Sequence, residues 1–445
     1  MTYMNKASNV AGTFYPADKL ELEKLIESYK TDIKYFSRAV IVPHAGYVYS
    51  GKLSANGIQR LNRNAKNVFI FAPAHYERVF GCVVCDYKAF ETPFGNVEVN
   101  KELSLEISEF CDCAKNNAAF EKEHSIEVLL PLIKHFLPDA KIIPILYGCE
   151  NFKNLAETID KFYENEDNVF IISSDLSHFY PEKEAVRFDN YTAKMIEENN
   201  VRDFEVDQAC GAVGVCGLVE FAKKHNFSLI RGGLTNSAAA NGDSSRVVGY
   251  GSWFLYEGNK NKYIKEYYSD FVIRVCKDSI LSGLQLGLAE INDYDCVFEQ
   301  SGASFVTLEL DGILRGCIGS VIAYRSLIQD LIKNAHAAAF SDPRFPSLTL
   351  NEYNKISIGV SLLSKPERII FDDQNDLLNK ITPAVDGLII RDGNNQAVFL
   401  PDVWEQLPDK EEFLEHLLKK AGLNEITETL EAFKFSTVKV KNTIQ

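Results

Sequence analysis

Short apolar runs alternate with amphipathic stretches over the first 256 residues of the chain. Compact apolar runs rich in β-branched residues predict strands buried in a sheet, and apolar residues three or four positions apart predict helices packed on that sheet. The predicted strands are 38–44, 67–75, 81–87, 141–148, 168–175 and 247–256. The predicted helices include 20–30, 124–137 and 185–199. This alternation is typical of an α/β domain with a mostly parallel sheet flanked by helices.

The pattern changes after Tyr256, where the polar segment EGNKNK has the composition of a linker. We therefore place one domain at residues 1–260 and a second at residues 264–445. In the second part, strand-like runs and amphipathic stretches such as 327–340 and 411–423 interleave less regularly. This less regular order favours a smaller α+β domain.

Composition is that of an ordinary globular protein, because apolar residues make up 46% and charged residues 24% of the 445 positions. A net charge of -15 argues against broad electrostatic binding of nucleic acid or of an anionic membrane. The start of the chain lacks the basic and then apolar order of a signal peptide, so we expect a cytoplasmic protein. The ten cysteines are then expected to be reduced thiols rather than a disulfide framework.

Polar side chains follow three of the predicted strands directly. His44 follows the first strand, His75 the second, and Asp175 and His178 the fifth. In parallel α/β sheets, ligands bind at the carboxyl ends of the strands, so these side chains are expected to converge. A single histidine is usually only a packed or exposed side chain, but a set at corresponding strand ends favours one functional site.

Two imidazoles with one anionic ligand suit a non-haem Fe(II) centre, and zinc fits almost as well. The candidate ligands are dispersed along the domain, which favours an open site over a closed structural zinc site. The third ligand is left open by the residues themselves. Cys210 precedes a predicted helix of small residues, where a thiol is either a metal ligand or a buried structural cysteine.

His124 is the second residue of the stretch EHSIEVLLPLIKHF, and Glu127 lies three positions after it. On a helix this spacing places both side chains on one face, where they would line the site or orient its ligands. The alternative is a helix start whose polar residues serve as a cap and as surface charge.

The second part contains the motif LRGCIGS at residues 314–320. Its glycines would let the backbone approach a ligand while Arg315 clamps an anion beside Cys317. The alternative is a tight turn in which the glycines only provide positive φ angles. Arg315 and Cys317 are therefore kept as a possible second-domain site.

Six separated strings in the first part resemble the Memo family, whose members share the fold of class III, LigB-type extradiol dioxygenases. The strings are VAGTFYPAD, VPHAGYVYSG, APAHY, EHSIEVLLPL, SSDLSHF and ACGAVGV, within about residues 8–257. The second part resembles the AMMECR family through LRGCIGS, SDPRFPSLT and GLIIRDGNNQAVFLP, within about residues 264–440. The two families are known together with a radical-SAM protein as the AmmeMemoRadiSam system, and the chain looks like a fusion of two of its components.

The resemblance implies that His44, His75 and Cys210 hold an iron or copper ion, with Asp175 and His178 beside it. His178 would take the place of the general base of that family. Ring-cleaving relatives use a glutamate where this chain offers Cys210. A thiolate donates more charge than a carboxylate and is itself oxidisable, so this difference separates the chain from catechol-cleaving enzymes.

We therefore expect a metal-dependent oxidoreductase of dioxygenase-like design, with Fe(II) ahead of copper or zinc and with His178, Asp175 and His124 as catalytic side chains. The chain has no Cys-x-x-x-Cys-x-x-Cys motif, so radical-SAM chemistry would come from a partner protein. Two alternatives belong to other classes of function. One is a non-catalytic binding or scaffold module whose cleft holds a small molecule, a peptide or the partner, and the other is a zinc hydrolase.

Overall fold

The computed structural model describes residues 4–148, 151–202, 204–285, 291 and 294–441. The chain divides into two compact units, Met1–Lys260 and Asn261–Gln445. Within the described residues, no helix is both long and apolar enough to cross a lipid bilayer.

The first unit is built from eleven strands and nine α-helices among its described residues. The strands are β1 (Ala39–Val42), β2 (Asn67–Pro73), β3 (Cys82–Val84), β4 (Ala89–Phe90), β5 (Val97–Glu98), β6 (Ala114–Lys115), β7 (Lys141–Tyr147), β8 (Asn168–Ser173), β9 (His178–Tyr180), β10 (Ser228–Asn236) and β11 (Val247–Tyr256). The helices are α1 (Lys19–Glu27), α2 (Lys52–Ile58), α3 (Lys101–Phe110), α4 (Ala118–Glu121), α5 (Leu130–Phe136), α6 (Phe152–Tyr163), α7 (Glu182–Glu197), α8 (Ala212–Lys224) and α9 (Ala238–Asn241).

One large sheet organises this unit, in the order β10-β11-β1-β8-β2-β7-β3-β6, with β9 paired to β11. The four central strands β1, β8, β2 and β7 are mutually parallel. Strand β11 runs antiparallel to β1 and β10, and β3 runs antiparallel to β7 but parallel to β6. Almost every residue of the four central strands is buried, as expected for strands covered on both faces. The mostly parallel sheet predicted from the sequence is confirmed.

Every strand pair among the described residues of the second unit is antiparallel. Its strands are β12 (Ala303–Leu310), β13 (Ile313–Gly319), β14 (Ile356–Leu363), β15 (Glu367–Ile369), β16 (Gly387–Asp392), β17 (Asn395–Phe399), β18 (Glu431–Phe435) and β19 (Thr437–Lys441). Its helices are α10 (Lys260–Leu284, beginning at the boundary), α11 (Leu327–Phe340), α12 (Leu350–Tyr353), α13 (Gln374–Lys380) and α14 (Lys410–Ala421). The predicted α+β class is confirmed.

Two four-stranded sheets, β13-β12-β14-β19 and β15-β18-β16-β17, form the framework of this second unit. Helix α11 contacts β12 and β13, and helix α14 contacts β16 and β17. Trp404 and Phe413 stack with ring centroids 3.6 Å apart in the apolar core beneath α14. The unit therefore has an apolar core of its own.

One expectation about the cysteines is wrong. Cys82 and Cys113 form a disulfide, although we expected all ten cysteines to be reduced. Strand β3 brings Cys82 beside the segment that follows α3, and both side chains are buried there. The sequence gives no direct sign of this pairing, because 31 positions separate the two residues.

Candidate metal centre

The register of the parallel strands brings the first two candidate residues to the same level of the sheet edge. Val42 of β1 and Ser173 of β8 are register partners. His44 lies two residues after Val42, and Asp175 lies two residues after Ser173. The backbone N–H of His44 donates to Oδ1 of Asp175 over 2.9 Å. The convergence predicted from strand ends is therefore present for this pair.

His44 is almost fully buried, and its neighbours determine which ring nitrogen is free. The Ser173 hydroxyl donates to the carbonyl oxygen of Ser125 over 2.6 Å, so its oxygen accepts from Nδ1 of His44 over 2.7 Å. This arrangement places the ring proton on Nδ1 and leaves the lone pair of Nε2 for a ligand. Burial also holds the pKa of His44 well below its usual value, which keeps the imidazole neutral as metal binding requires.

His75 lies two residues after β2 and is held by the buried carboxylate of Glu123. Its Nδ1 lies 3.0 Å from Oε1 of Glu123, and its backbone N–H donates to Oε2. Burial alone would raise the pKa of Glu123, but hydrogen bonds from His75 and from the backbone of Ser125 lower it to about 2. Glu123 is thus an ionised carboxylate that orients His75 and leaves its Nε2 available. No sequence pattern pointed to Glu123, although it immediately precedes His124.

His124 does not lie on the helix predicted for residues 124–137. A turn and a short 3-10 segment (Glu127–Leu129) precede α5, so the helix begins six residues later than predicted. The turn forms because Glu123 accepts the backbone N–H groups of His124 and Ser125, each over 2.9 Å. As a result His124 and Glu127 do not share a helix face.

The side chain of Glu127 is buried and binds the N-terminal segment of the chain. Its carboxylate accepts the backbone N–H groups of Asn9 and Val10 and lies 3.0 Å from Nζ of Lys6. The surface-charge alternative for Glu127 is therefore wrong, and its role in lining the site or orienting its ligands stays a prediction. The segment that it holds carries Phe14, whose ring packs 5.1 Å from that of His124.

Three imidazoles meet at the sheet edge. One ligand atom each from His44, His75 and His124 lies within 4.8 Å of the other two. Exposure rises from the buried His44 through the intermediate His124 to the exposed His75, so the group opens to solvent on one side. Nδ1 of His124 is buried without a hydrogen bond among the described residues, although Oε1 of Glu123 lies 3.5 Å away. Burial lowers the pKa of His124 as well, so this ring is also neutral and can offer a lone pair to a metal ion.

Cys210 lies beside this group and contacts one of its three histidines. Its Sγ lies 3.4 Å from Nε2 of His44 and accepts the backbone N–H of Asp175 over 3.3 Å. Cys210 lies two residues before α8, in a turn that packs tightly on β8. Gly211 allows this packing, because a Cβ there would lie 2.6 Å from the Ser173 carbonyl oxygen. Burial and the neighbouring Asp175 raise the pKa of the Cys210 thiol.

Asp175 lies in the turn between β8 and β9, and His178 is the first residue of β9. Burial raises the pKa of Asp175 to about 7, although hydrogen bonds from the backbone of His44 and Ala45 oppose the rise. The ring of His178 is hydrogen-bonded to the backbone of Leu176, and burial lowers its pKa. His178 also interacts electrostatically with His44 and His75. Every residue proposed for the first-domain site therefore belongs to one neighbourhood.

Arg315, proposed to clamp an anion in the second unit, is already engaged by protein groups. Its guanidinium pairs with Glu352 over 2.8 Å and donates to the carbonyl oxygen of Pro346. The motif glycines have no positive φ angle and serve packing instead, because a Cβ on Gly316 would clash with the Ala338 carbonyl oxygen. Cys317 follows Gly316 in β13, and its side chain is partly exposed.

Comparisons with known proteins find one family match in each part of the chain. The model of the family described as Memo-like protein matches residues 6–254, and the model described as AMMECR1 matches residues 273–440. The two matches follow each other along the chain without overlap.

Curated relatives cover the first part of the chain. A MEMO1 family protein from Aquifex aeolicus is 31% identical over 255 residues, which are 54% of this chain and 95% of that relative. One from Methanobrevibacter smithii is 34% identical over 274 residues, which are 55% of this chain and 96% of the relative. Among solved structures, the uncharacterized protein PH0010 from Pyrococcus horikoshii is 30% identical, with a TM-score of 0.37 over 39% of this chain and 91% of that chain.

Proposed function

The chain belongs to the Memo-like family through residues 6–254, and from this premise we propose that its first unit is a metal-dependent oxidoreductase of dioxygenase-like design. The observation that carries the proposal is the group of His44, His75 and His124 at the carboxyl edge of the parallel sheet, with Cys210 in contact with His44. Fe(II) is the cofactor that we propose, with copper and zinc as the competing ions.

The side chains fit such an ion. His44 and His124 are neutral, Glu123 orients His75, and the buried Nδ1 of His124 has no hydrogen bond within the described structure. We propose His44, His75 and Cys210 as the ligands, because a thiolate supplies the negative charge that neutral imidazoles lack. Binding to a cation deprotonates a cysteine even when burial raises its thiol pKa. When bound, Fe(II) supplies redox chemistry and vacant positions for substrate and dioxygen.

The remaining polar groups supply the proton chemistry. His178 has a lowered pKa and is neutral near pH 7, so its ring can accept a proton from a substrate. Asp175, with a pKa of about 7, exists in both protonation states at neutral pH and can share a proton with the site. His124 lies on the more open side beside Phe14, where it contacts an incoming substrate.

Metal analysis and oxygen consumption together test this proposal. The purified chain is loaded anaerobically with Fe(II), desalted and assayed for iron, and oxygen uptake is then followed with catechols and with thiols. The H44A/H75A double variant should lose iron and activity while keeping its fold. H416A is the matched control, because His416 is exposed on α14 of the second unit. Full iron retention by the double variant would refute the ligand assignment.

A zinc hydrolase is the second candidate, because three histidine side chains are also a ligand set for catalytic zinc. The identity of the metal in protein purified without added ions separates the two functions. Zinc together with ester or phosphoester hydrolysis, and no oxygen uptake, would favour the hydrolase.

We also propose that the chain acts together with a radical-SAM protein. Support comes from the two families found in one chain, since the AmmeMemoRadiSam resemblance links both with such a partner. Affinity capture of the full chain, with the radical-SAM protein encoded in the same genome as prey, tests the association.

A further inference from the structure

Phe179 occupies an irregular position in β9, directly after His178. Val247 of β11 pairs with Tyr180, and the next residue of β11 pairs with His178. Phe179 lies between these two partners and is the extra residue of a β-bulge. Its φ angle is 65°, in the left-handed region. Bulky side chains rarely adopt this conformation, and bulges of this kind usually carry glycine there, so the backbone is strained next to His178.

The bulge gives two neighbouring rings different surroundings. The ring of Phe179 is 61% exposed, and the guanidinium of Arg246 lies 5.0 Å from its centroid. His178 is only partly exposed, and it follows the turn whose Asp175 accepts the backbone N–H of His44. Bulges near active sites often re-aim a side chain. Here the bulge leaves the Phe179 ring in solvent and keeps the His178 ring on the side of the site.

The buried carboxylate of Asp189 anchors the residue that precedes His178. Asp189 lies on α7, and its Oδ1 accepts the backbone N–H of Ser177 over 3.1 Å. The carboxylate also packs directly against β11, because a Cβ on Gly249 would overlap its oxygen atoms. Only a glycine at position 249 leaves room for this approach. Asp189 therefore joins α7, the turn and β11.

Backbone hydrogen bonds tie the same turn to Gly249. The N–H of Gly249 donates to the carbonyl oxygen of Ser177, and the N–H of Leu176 donates to the carbonyl oxygen of Gly249, each over 2.8 Å. Since the N–H of Leu176 is used in this way, its carbonyl oxygen is the group that accepts the ring N–H of His178. The orientation of the His178 ring therefore depends on where Leu176 and Ser177 are held.

Helix α7 holds the chain on both sides of the bulge. Asp189 holds Ser177 on one side, and on the other the rings of Phe188 and Tyr180 stack with centroids 5.2 Å apart. Packing alone does not require a carboxylate here, because burial raises the pKa of Asp189 to about 6 and only hydrogen bonds from Ser177 oppose this rise. A strained backbone conformation persists only where its surroundings fix it firmly.

We propose that Asp189 is a positioning residue of the first-unit site, and that it holds the strained bulge at Phe179 so that the His178 ring keeps its orientation. This inference rests on the proton-accepting role of His178 in the proposed function. Asp189 touches no substrate and acts through the backbone N–H of Ser177. Without its carboxylate the bulge relaxes, and the ring of His178 loses its hydrogen bond to Leu176.

Histidine-ring NMR on the metal-free full chain tests the positioning step without any turnover. The chain is labelled with 15N at histidine, and the ring N–H signal of His178 is identified by its absence from H178Q. We expect D189A to lose this signal through exchange with water. D189N should keep the signal, because an amide oxygen still accepts the N–H of Ser177. E184A, which removes an exposed carboxylate from α7, is the matched control and should leave the signal unchanged.

Oxygen uptake by the Fe(II)-loaded chain with catechol measures the catalytic consequence. We expect D189A to lower kcat about tenfold and to leave KM and the affinity for Fe(II) within about twofold, since the proposed metal ligands lie outside this turn. Glycine adopts the left-handed conformation without strain, so F179G should raise the urea midpoint of the first unit. In the F179G chain the bulge needs no clamp, and D189A should lower kcat by less than about threefold.

Three results would overturn the proposal. The first is a D189A chain that unfolds at lower urea but keeps the His178 signal and kcat, because Asp189 would then serve the fold alone. The second is an equal loss of kcat from D189A with and without F179G. The third is a lower urea midpoint in F179G, which would show that the bulge is not strained. Absence of any oxygen uptake in the unchanged chain would instead refute the proposed function, and the NMR comparison would still decide the role of Asp189.

Discussion

Single hydroxyl groups determine how the metal centre presents its imidazoles. Ser173 accepts from Nδ1 of His44 and donates to Ser125, so it selects the tautomer with Nε2 free. We expect S173A to lower the affinity for Fe(II) about 10- to 100-fold, since the ring loses its orientation. Anaerobic metal titration measures the change.

Ser177 gives a matched control for Ser173, because its buried hydroxyl lies beside the Asp189 carboxylate and not beside a histidine ring. S177A should bind the metal like the unchanged chain. Equal affinity in S173A and S177A would contradict the assigned role of the Ser173 hydroxyl.

The third ligand can be identified by comparing two single substitutions. We expect C210S to remove the sulfur-to-metal absorption bands and to weaken metal binding about 100-fold, since it deletes the sulfur that contacts His44. H124A should weaken binding less, by about tenfold or below, if His124 acts on the open side. The opposite order, measured by metal titration and by absorption spectra of the Co(II)-loaded protein, would make His124 the ligand.

Residue-level chemistry was predictable where it depends on strand ends. His44, His75 and Asp175 each follow a buried apolar run, so the rule for parallel sheets locates them before any coordinates are known. Ser173 and Glu123 were not predictable in this way. Their roles depend on contacts 129 and 48 positions apart in the chain, which no local pattern records.

At the scale of elements, the turn before α5 fixes the N-terminal segment. Glu127 is the acceptor for that segment, so E127A leaves Lys6 buried without its partner. We expect a loss of about 3–5 kcal/mol in the free energy of unfolding of the first unit, measured in urea. E121A, an exposed substitution in α4, should change this free energy by less than about 0.5 kcal/mol. An E127A loss as small as that of E121A would show that the buried pair is not needed.

The segment around α12 should make the second unit sensitive to acid. Hydrogen bonds from Arg315 and Thr349 lower the pKa of Glu352 to about 2, and Arg344 lowers that of Asp342. Both carboxylates bind protons more readily in the unfolded chain, so their stabilisation is complete above about pH 4.5 and is lost as the pH falls toward 2. E352Q should flatten the dependence of unfolding free energy on pH below 4.5. If E352Q leaves the pH dependence of the unfolding free energy unchanged, Glu352 does not contribute to the acid sensitivity.

Elements were predictable where the periodicity is uninterrupted. The central strands follow the buried runs of the sequence closely, whereas β10 was missed because Gly232 and Gly233 break its apolar alternation at an irregularity in the pairing with β11. The helix expected at residues 124–137 has the right period, but the hydrogen bonds of Glu123 convert its first turn into a loop. The start of α5, next to the site, is therefore determined by tertiary hydrogen bonds that the local sequence pattern does not show.

At the scale of the whole molecule, the two units have separate apolar cores, and each contains one tryptophan. Trp253 is fully buried in the first unit, and Trp404 is buried in the second. The W404F and W253F variants therefore report the unfolding of the first and the second unit separately by fluorescence. The effect of removing a disulfide from the first unit can therefore be measured on that unit, with the unfolding of the second unit as an internal reference.

The Cys82–Cys113 disulfide closes a loop of 31 positions within the first unit. Loss of this cross-link releases chain entropy in the unfolded state, so C82A/C113A should destabilise the first unit by about 3–4 kcal/mol. In urea, the Trp253 transition should move to lower concentration while the Trp404 transition stays in place. C276A, at a buried free cysteine of the second unit, controls for the loss of thiol volume and should move only the Trp404 transition. Equal shifts of both transitions in C82A/C113A, or a Trp253 transition that the double substitution leaves unchanged, would contradict a stabilising cross-link confined to the first unit.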